Sequence, residues 1–341
     1  MLAFITGLSG AALTDAERRF LREADPWGVI LFKRNVAEPD ILRRLIGDFR
    51  AAVGREAPVL IDQEGGRVQR LGPPHWPAYP PGAVYGALFD RDRTAGLAAA
   101  RLGGRLIAED LRQLGIDVDC APVADVPTAA ADPVIGDRAY GADPAKVSVL
   151  AGAFAAGLID GGVLPVLKHI PGHGRATADS HQTPPVVTAD RAALEATDFA
   201  AFRPLRALPI GMTAHVVFTA IDPVAPATTS ANIVRNVIRE SIGFAGLLMT
   251  DDLSMRALSG SLGERTRAAI AAGCDIALHC NGDMPEMHAV AAEAPVLRGA
   301  AAQRAEAALA LRRPPTVLHL AAAQAEFSKL IAGGRPARGS A

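Results

Sequence analysis

The segment 168–181, which reads KHIPGHGRATADSH, holds three histidines, a lysine and an aspartate within fourteen residues. It directly follows the apolar run Val163–Leu167, which is typical of a buried strand. A long loop rich in ionisable side chains packs poorly, and such loops on a rigid scaffold commonly carry function. We therefore interpret this segment as the active-site loop.

Other apolar runs also end in polar side chains. If the runs are parallel strands, these side chains meet at one end of the sheet. The residues concerned are Asp62, Asp119, Asp125, Lys168, His169, His215, Asp251 and Asp252. Many carboxylates and donors without a cofactor motif suit a polyhydroxylated ligand such as a sugar, and no cofactor is expected. Cleaving a glycosidic bond with retention needs a carboxylate nucleophile and a separate acid.

Eight apolar runs are predicted strands, because each is continuously hydrophobic and bounded by Gly, Pro or a polar residue. They are Ala3–Gly7, Gly28–Phe32, Val59–Asp62, Ile116–Ala121, Val163–His169, Ile210–His215, Gly246–Asp251 and Cys274–His279. Stretches of helical period alternate with them. These are Asp15–Ala24, Pro39–Val53, Thr94–Leu114, Pro144–Asp160, Asp198–Leu208, Ala231–Ser241, Leu262–Ala272, Met284–Ala294 and Gly299–Arg312.

Eight βα units predict an α/β fold, a single-domain (β/α)8 TIM barrel, with an open α/β sheet as the alternative. No linker or change of composition divides residues 1–332, which we assign to one barrel domain. Residues 333–341, GGRPARGSA, lack apolar periodicity and are expected to form a disordered tail.

Composition limits the partners. The 341 residues have a formal net charge of −1 and no dense Lys/Arg stripe, which argues against nucleic acid or an anionic membrane as partner. No apolar run approaches the ~18 residues of a membrane span. Three scattered cysteines indicate reduced thiols, and the first residues resemble a strand more than a targeting segment. We expect a cytoplasmic protein, a monomer, with a small-molecule ligand.

Three segments carry a resemblance to a known family. IDQEGGRVQR (61–70), KHIPGHGRATADSH (168–181) and MTDDLSM (249–255) resemble the signature segments of bacterial family 3 β-N-acetylhexosaminidases. Their order and spacing match over nearly the whole chain. The short single-barrel members are cytoplasmic enzymes of cell-wall recycling that remove N-acetylglucosamine from anhydro-muropeptides. The resemblance implies an amino-sugar substrate of this kind.

The resemblance also implies catalytic roles. Asp251, the first carboxylate after Thr250, would be the nucleophile, whereas we interpret Asp252 as a helix cap. His181 would be the general acid, in place of the second carboxylate that most glycosidases use. Asp179 lies two residues earlier, on the same side of an extended segment, where it can orient the imidazole.

The same resemblance implies a sugar-binding set, which consists of Asp62, Arg70, Arg138, Lys168 and His169. Structural alternatives exist for its members. Lys168 or Arg138 could simply neutralise buried carboxylates, and Arg70 could pair with Glu64. We interpret two further histidines as structural: His215 as a core residue and His173 as a loop-packing residue.

Two other functions fit part of the sequence. A barrel metallohydrolase could use His169, His173, His181, His215 and Asp251, but neither an early H-x-H nor an H-E-x-x-H is present, and we predict no metal site. A catalytically silent sugar-binding homologue would retain the sugar-binding set but lack the nucleophile or the acid. Both of these residues are present in this chain.

Overall fold

The computed structural model describes residues 1–180 and 184–334. Within these residues, eight parallel strands form a closed barrel. The strands are β1 Leu2–Gly7, β2 Pro26–Leu31, β3 Val59–Ile61, β4 Val118–Asp119, β5 Leu164–Ile170, β6 Ile210–Thr213, β7 Leu247–Asp252 and β8 Ile276–Leu278. Every bound lies within two residues of its predicted position.

The last strand closes the barrel against the first. Phe4 of β1 pairs with Ala277 of β8, and Ile5 pairs with Leu278. Around the ring, the order is β1, β8, β7, β6, β5, β4, β3 and β2. The predicted single-domain TIM barrel is therefore confirmed, and the open-sheet alternative is wrong.

Eleven α-helices lie in the described residues. They are α1 Asp15–Ala24, α2 Pro39–Val53, α3 Gly82–Arg91, α4 Arg93–Arg112, α5 Pro144–Asp160, α6 Arg191–Ala196, α7 Asp198–Phe202, α8 Leu262–Ala272, α9 Met284–Glu293, α10 Gly299–Leu309 and α11 Leu320–Gly334. The bounds of α1, α2, α5 and α8 are as predicted. A π-helical stretch, Ile233–Ser241, follows β6.

Local signals explain where the helices begin. In α1, the hydroxyl of Thr14 accepts the N–H of Glu17 at 3.1 Å, and the Glu17 carboxylate accepts the N–H of Thr14 at 2.8 Å. This capping box satisfies two backbone donors that the first turn leaves free. Ser261 and Glu264 form the same box before α8.

Side chains from alternate strand positions separate the core into two layers. One cluster fills the barrel interior and includes Ile5, Leu60, Val166, Met212 and Met249. A larger cluster lies between the strands and the surrounding helices. Because side chains fill the interior of the barrel, a ligand-binding site can form only at the ends of the strands.

Some elements were not predicted. Helices α3, α6 and α11 lie outside the predicted set, as does the antiparallel hairpin of Gln63–Gly65 with Val68–Gln69. Because α11 ends at Gly334, the first two residues of the predicted tail belong to a helix, and residues 335–341 lie outside the described part. None of the described helices is long and apolar enough to cross a membrane.

Candidate active site

A cavity of about 320 Å³ opens at the carboxyl end of the barrel. Its lining residues are Ile30, Phe32, Asp62, Arg67, Val68, Arg70, Val134, Ile135, Arg138, Lys168, His169, His173, Asp179, Ser180, Met212, Asp251, Asp252, Met255, Leu278 and Cys280. Seven of the eight predicted site residues are among them. The eighth, His181, lies outside the described residues.

Lys168, at the end of β5, is the centre of a charged cluster on one wall of the cavity. Its ammonium group is 2.9 Å from Asp62 and 2.7 Å from Glu64, and its side chain is only 3% exposed. Arg70 binds the other oxygen of Asp62 at 2.7 Å. Burial raises the pKa of Asp62, but Lys168 and Arg70 outweigh it and hold that pKa well below its usual range.

Arg138 completes this cluster from the loop after β4. Its guanidinium donates two hydrogen bonds to Glu64, of 2.8 and 2.7 Å, in the bidentate geometry that fixes both groups. Burial lowers the pKa of Arg138, but the Glu64 carboxylate raises it above its usual value overall. The suggested Arg70–Glu64 pair is therefore wrong, because Arg70 pairs with Asp62 and Glu64 pairs with Arg138 and Lys168.

His169 is fixed by a second buried carboxylate, Asp125, which was predicted to lie at a strand end but not to belong to the sugar-binding set. Its Nδ1 is 2.6 Å from Asp125, whose other oxygen accepts the backbone N–H of His173 at 2.6 Å. Burial raises the pKa of Asp125, yet these contacts and the nearby imidazoles lower it overall. With Nδ1 engaged and no described residue bonded to Nε2, the Nε2 nitrogen of His169 can bind a ligand.

Asp251 and Asp252 end β7 and have different surroundings. Asp251 accepts the backbone N–H of Asp252 at 2.8 Å. Burial raises the pKa of Asp251, but His169 and His215, followed by this hydrogen bond and Lys168, lower it overall, so Asp251 is an anion at neutral pH. The side chain of Asp252 instead accepts N–H bonds from Ser254 and Cys280, at 3.0 and 3.2 Å.

His215 has a structural environment, as predicted. Its Nδ1 lies 2.7 Å from the Thr228 hydroxyl and its Nε2 lies 2.9 Å from the carbonyl of Asp252. Burial lowers its pKa, so the ring is neutral. Because both nitrogens are engaged, His215 has no lone pair free for the metal role that the metallohydrolase alternative gave it.

The loop after β5 brings Asp179 and Ser180 to the cavity. The carbonyl of Ser180 accepts the N–H of Ala257 at 3.0 Å, which attaches this loop to the one after β7. His173, 3% exposed, points Nε2 at the Ser180 hydroxyl at 3.4 Å. Burial and the neighbouring His169 lower the pKa of His173 to about 4. A neutral, enclosed ring agrees with a packing role.

The chain resembles known proteins along most of its length. Residues 5–310 match the family model described as the glycosyl hydrolase family 3 N terminal domain. A β-hexosaminidase from Alkalilimnicola ehrlichii is 44% identical over 283 residues, which cover 81% of this chain and 79% of the relative. NagZ from Neisseria gonorrhoeae, solved with N-trifluoroacetyl-D-glucosamine, is 30% identical with a TM-score of 0.85 and covers 98% of both chains.

The barrel, its carboxylate-rich cavity and these similarities define a glycoside hydrolase. The chain belongs to glycosyl hydrolase family 3. Within that family it is a bacterial β-N-acetylhexosaminidase, in agreement with its relatives, which are named β-hexosaminidases.

A metal site was not predicted. Among residues 1–180 and 184–334, no group of three or more His, Cys, Asp or Glu side chains has a metal-binding arrangement. One structure of the N. gonorrhoeae protein contains a zinc ion, and it has a TM-score of 0.81 with this chain.

Proposed function

We propose that this enzyme removes non-reducing terminal N-acetylglucosamine from peptidoglycan-derived anhydro-muropeptides, with retention of configuration. The proposal includes cytoplasmic action on a small-molecule substrate. Asp251 is the nucleophile, His181 is the general acid and base, and Asp179 orients His181. Asp62, Arg70, Arg138, Lys168 and His169 bind the sugar.

The position of Asp251 relative to the charged cluster carries the proposal. β3 and β7 are separated by three strands in either direction around the barrel, so Asp62 and Asp251 lie on opposite walls. Both line the same cavity. A volume of about 320 Å³ is at the small end of the range for ligand pockets, which suits one terminal sugar.

The charged cluster has donors and acceptors left for hydroxyl groups. Lys168 has three N–H donors, and two of them bind Asp62 and Glu64. The third donor and Nε2 of His169 can bind the side of the sugar away from its anomeric carbon. A ring held in this way presents the anomeric carbon to Asp251 on the opposite wall.

The reaction proceeds in two steps. The Asp251 carboxylate attacks the anomeric carbon while His181 protonates the departing glycosidic oxygen, which breaks that bond and forms a glycosyl-enzyme. Neutral His181 then takes a proton from water as the water attacks the same carbon and releases Asp251. Two inversions give net retention.

Early product analysis tests the mechanism. With a β-N-acetylglucosaminide as substrate, proton NMR during the first turnovers should show the β anomer of N-acetylglucosamine before mutarotation. An initial α anomer would reject the covalent mechanism and indicate a base-activated water. Mass spectrometry of an anhydro-muropeptide digest tests the substrate, and a matched β-glucoside tests the acetamido preference.

A further inference from the structure

Asp119 is the last residue of β4 and is bonded to the segment that follows β3, which carries Asp62 of the proposed sugar-binding set. Its side chain is fully buried. Oδ1 accepts the backbone N–H of Gln63 at 2.9 Å, whereas Oδ2 has no hydrogen-bond partner among the described residues. Because Gln63 follows Asp62, this bond fixes the backbone that carries a sugar-binding carboxylate.

A second buried aspartate on the same segment provides a contrast. Asp125 accepts from the His169 ring at 2.6 Å and from the N–H groups of His173 and His169 at 2.6 and 3.3 Å. Buried carboxylates persist as anions when they are paired in this way. Asp119 has a single amide bond and an orphaned oxygen, which fits a carboxylic acid.

The cations near Asp119 are already paired with other carboxylates. Lys168 binds Asp62 and Glu64, and the two arginines of the cluster bind these same two carboxylates. No described cation is in contact with Asp119. An anionic Asp119 would add an unpaired charge beside two other carboxylates.

We propose that Asp119 is a positioning residue held as a neutral carboxylic acid, which fixes the end of β3 through Gln63 without drawing Lys168 away from the sugar. This inference rests on the proposed function in taking Lys168 as a sugar ligand. Burial, the largest cause, raises the pKa of Asp119 to about 8, so the acid form predominates at neutral pH.

The neutral state has a consequence for substrate binding. Lys168 has one N–H donor left for a sugar hydroxyl. An ionised Asp119 would attract the Lys168 ammonium group electrostatically and so weaken that bond. Sugar binding should therefore weaken as pH rises above about 8. The value of kcat, which reports the chemical step on Asp251 across the cavity, should change less over the same pH range.

Neighbouring groups should not produce the same effect. The titratable groups that face Asp119 are Asp62 and Glu64 after β3, Lys168 on β5, and Cys120 and Tyr140 after β4. The pKa values of the two acids are lowered, and those of the lysine, the thiol and the phenol are raised. None of them titrates near pH 8.

The test compares Asp119→Asn and Asp119→Ala with the unmodified enzyme, using kcat and KM for a chromogenic β-N-acetylglucosaminide from pH 6 to 9.5. We expect the KM of the unmodified enzyme to rise about tenfold at alkaline pH, and that of Asp119→Asn to stay level, since an amide oxygen still accepts the Gln63 N–H. Asp119→Ala should raise KM about tenfold at every pH, because that acceptor is lost.

Asp117→Asn is the matched control. Asp117 lies just before β4, at the other end of the barrel, where it accepts the N–H of Val59 at 2.7 Å and binds Arg312 at 2.6 Å. Asp117→Asn should lower the free energy of unfolding, because the pairing with Arg312 is weakened. The KM of this variant should still rise at alkaline pH. Circular dichroism at each pH verifies that every variant is folded.

Two results would overturn the inference. The first is that the KM of Asp119→Asn still rises at alkaline pH. The second is that the KM of Asp119→Asn at pH 7 is raised as much as that of Asp119→Ala. Infrared spectroscopy reads the protonated carboxyl band directly and does not depend on turnover. A band that is unchanged in Asp119→Asn rejects the neutral acid, whereas absence of turnover in the unmodified enzyme rejects the proposed function.

Discussion

Adjacent carboxylates at the end of β7 have surroundings that suit different roles. Asp251 lines the cavity, and among the described residues it accepts only one backbone N–H, so one oxygen has no bond there and can face an anomeric carbon. Asp252 has both oxygens engaged, since Oδ1 accepts two N–H groups and Oδ2 accepts the Ser254 hydroxyl at 2.6 Å. This difference supports the assignment of the nucleophile.

Asp251→Asn should lower kcat by at least about a thousandfold while the protein stays folded, because the path through the glycosyl-enzyme is removed. Asp252→Asn, its matched control, should lower the free energy of unfolding and cost much less in kcat. Steady-state kinetics with chemical denaturation separates the two effects. Losses of kcat in the reverse order would contradict the assignment.

His181→Ala should show a defect that depends on the leaving group. Protonation matters only when the departing oxygen is basic, so an activated aryl glycoside should retain much more of its kcat than an alkyl glycoside or a disaccharide. Asp179→Asn should show a milder form of the same pattern. Equal losses for good and poor leaving groups would remove His181 from the role, which remains a prediction.

The loops after β4 and β5 pack backbone to backbone. Gly174 has no room for a side chain, since an added Cβ would lie 2.1 Å from the carbonyl oxygen of Val126. Its own carbonyl accepts the N–H of Thr128 at 3.1 Å. The loop that carries Asp179 is thus positioned by contact with a neighbouring loop.

Gly174→Ala should therefore separate the two loops and lower kcat by about a hundredfold, as expected for a misplaced catalytic group. Gly47→Ala is the control, because Gly47 is an exposed residue in α2 whose added Cβ would meet nothing within 4 Å. That change should keep kcat and stabilise the protein by about 0.5–1 kcal/mol. Equal kcat values for both variants would argue against positioning by loop contact.

The barrel elements could be predicted because each buried strand is a continuous apolar run and each crossover helix has an apolar stripe. α11 could not be predicted in this way, because it is not part of a βα unit. It packs on α3 and α4 through Phe327, whose ring centroid is 6.4 Å from that of Tyr85 and 6.2 Å from that of Tyr79. Such contacts join residues more than two hundred positions apart.

The sequence also did not predict which of the site residues pair with one another. Of the strand-end residues, Asp62, Asp251, Asp252, Lys168 and His169 line one cavity as predicted, whereas Asp119, Asp125 and His215 are not in its lining. The resemblance of the motifs supplied Arg70 and Arg138. The sequence did not indicate that Glu64 bridges Lys168 and Arg138, or that Asp125 holds His169. Those pairs depend on which way each side chain points once the loops have packed.

At the scale of the molecule, Asp119 should make stability depend on pH. Its pKa is about 8 in the folded protein and ordinarily 3.8, so the folded state binds the proton more tightly. The resulting stabilisation is complete below about pH 4 and is lost as pH rises toward about 8. Asparagine has no such proton to lose.

Asp119→Asn should thus match the unmodified protein in acid and exceed it in base. We expect equal free energies of unfolding near pH 4, and a gain on the order of a few kcal/mol for the variant near pH 8.5. Urea denaturation at the two pH values measures this difference. A gain of the same size at both values would show that packing, rather than the proton, is responsible.

The charged cluster also joins two portions of the chain that α5 separates. Asp62, Glu64, Arg70 and Arg138 all precede α5, whereas Asp179 and Asp251 follow it, and Lys168 links the two portions through its ion pairs. Three of the five proposed sugar-binding residues therefore precede α5, whereas Lys168 and His169 follow it together with the proposed catalytic residues. Recombination between homologues within α5 would thus exchange the partners of Lys168 without exchanging Lys168 itself, so ion pairs of this cluster would be formed between residues of two parents.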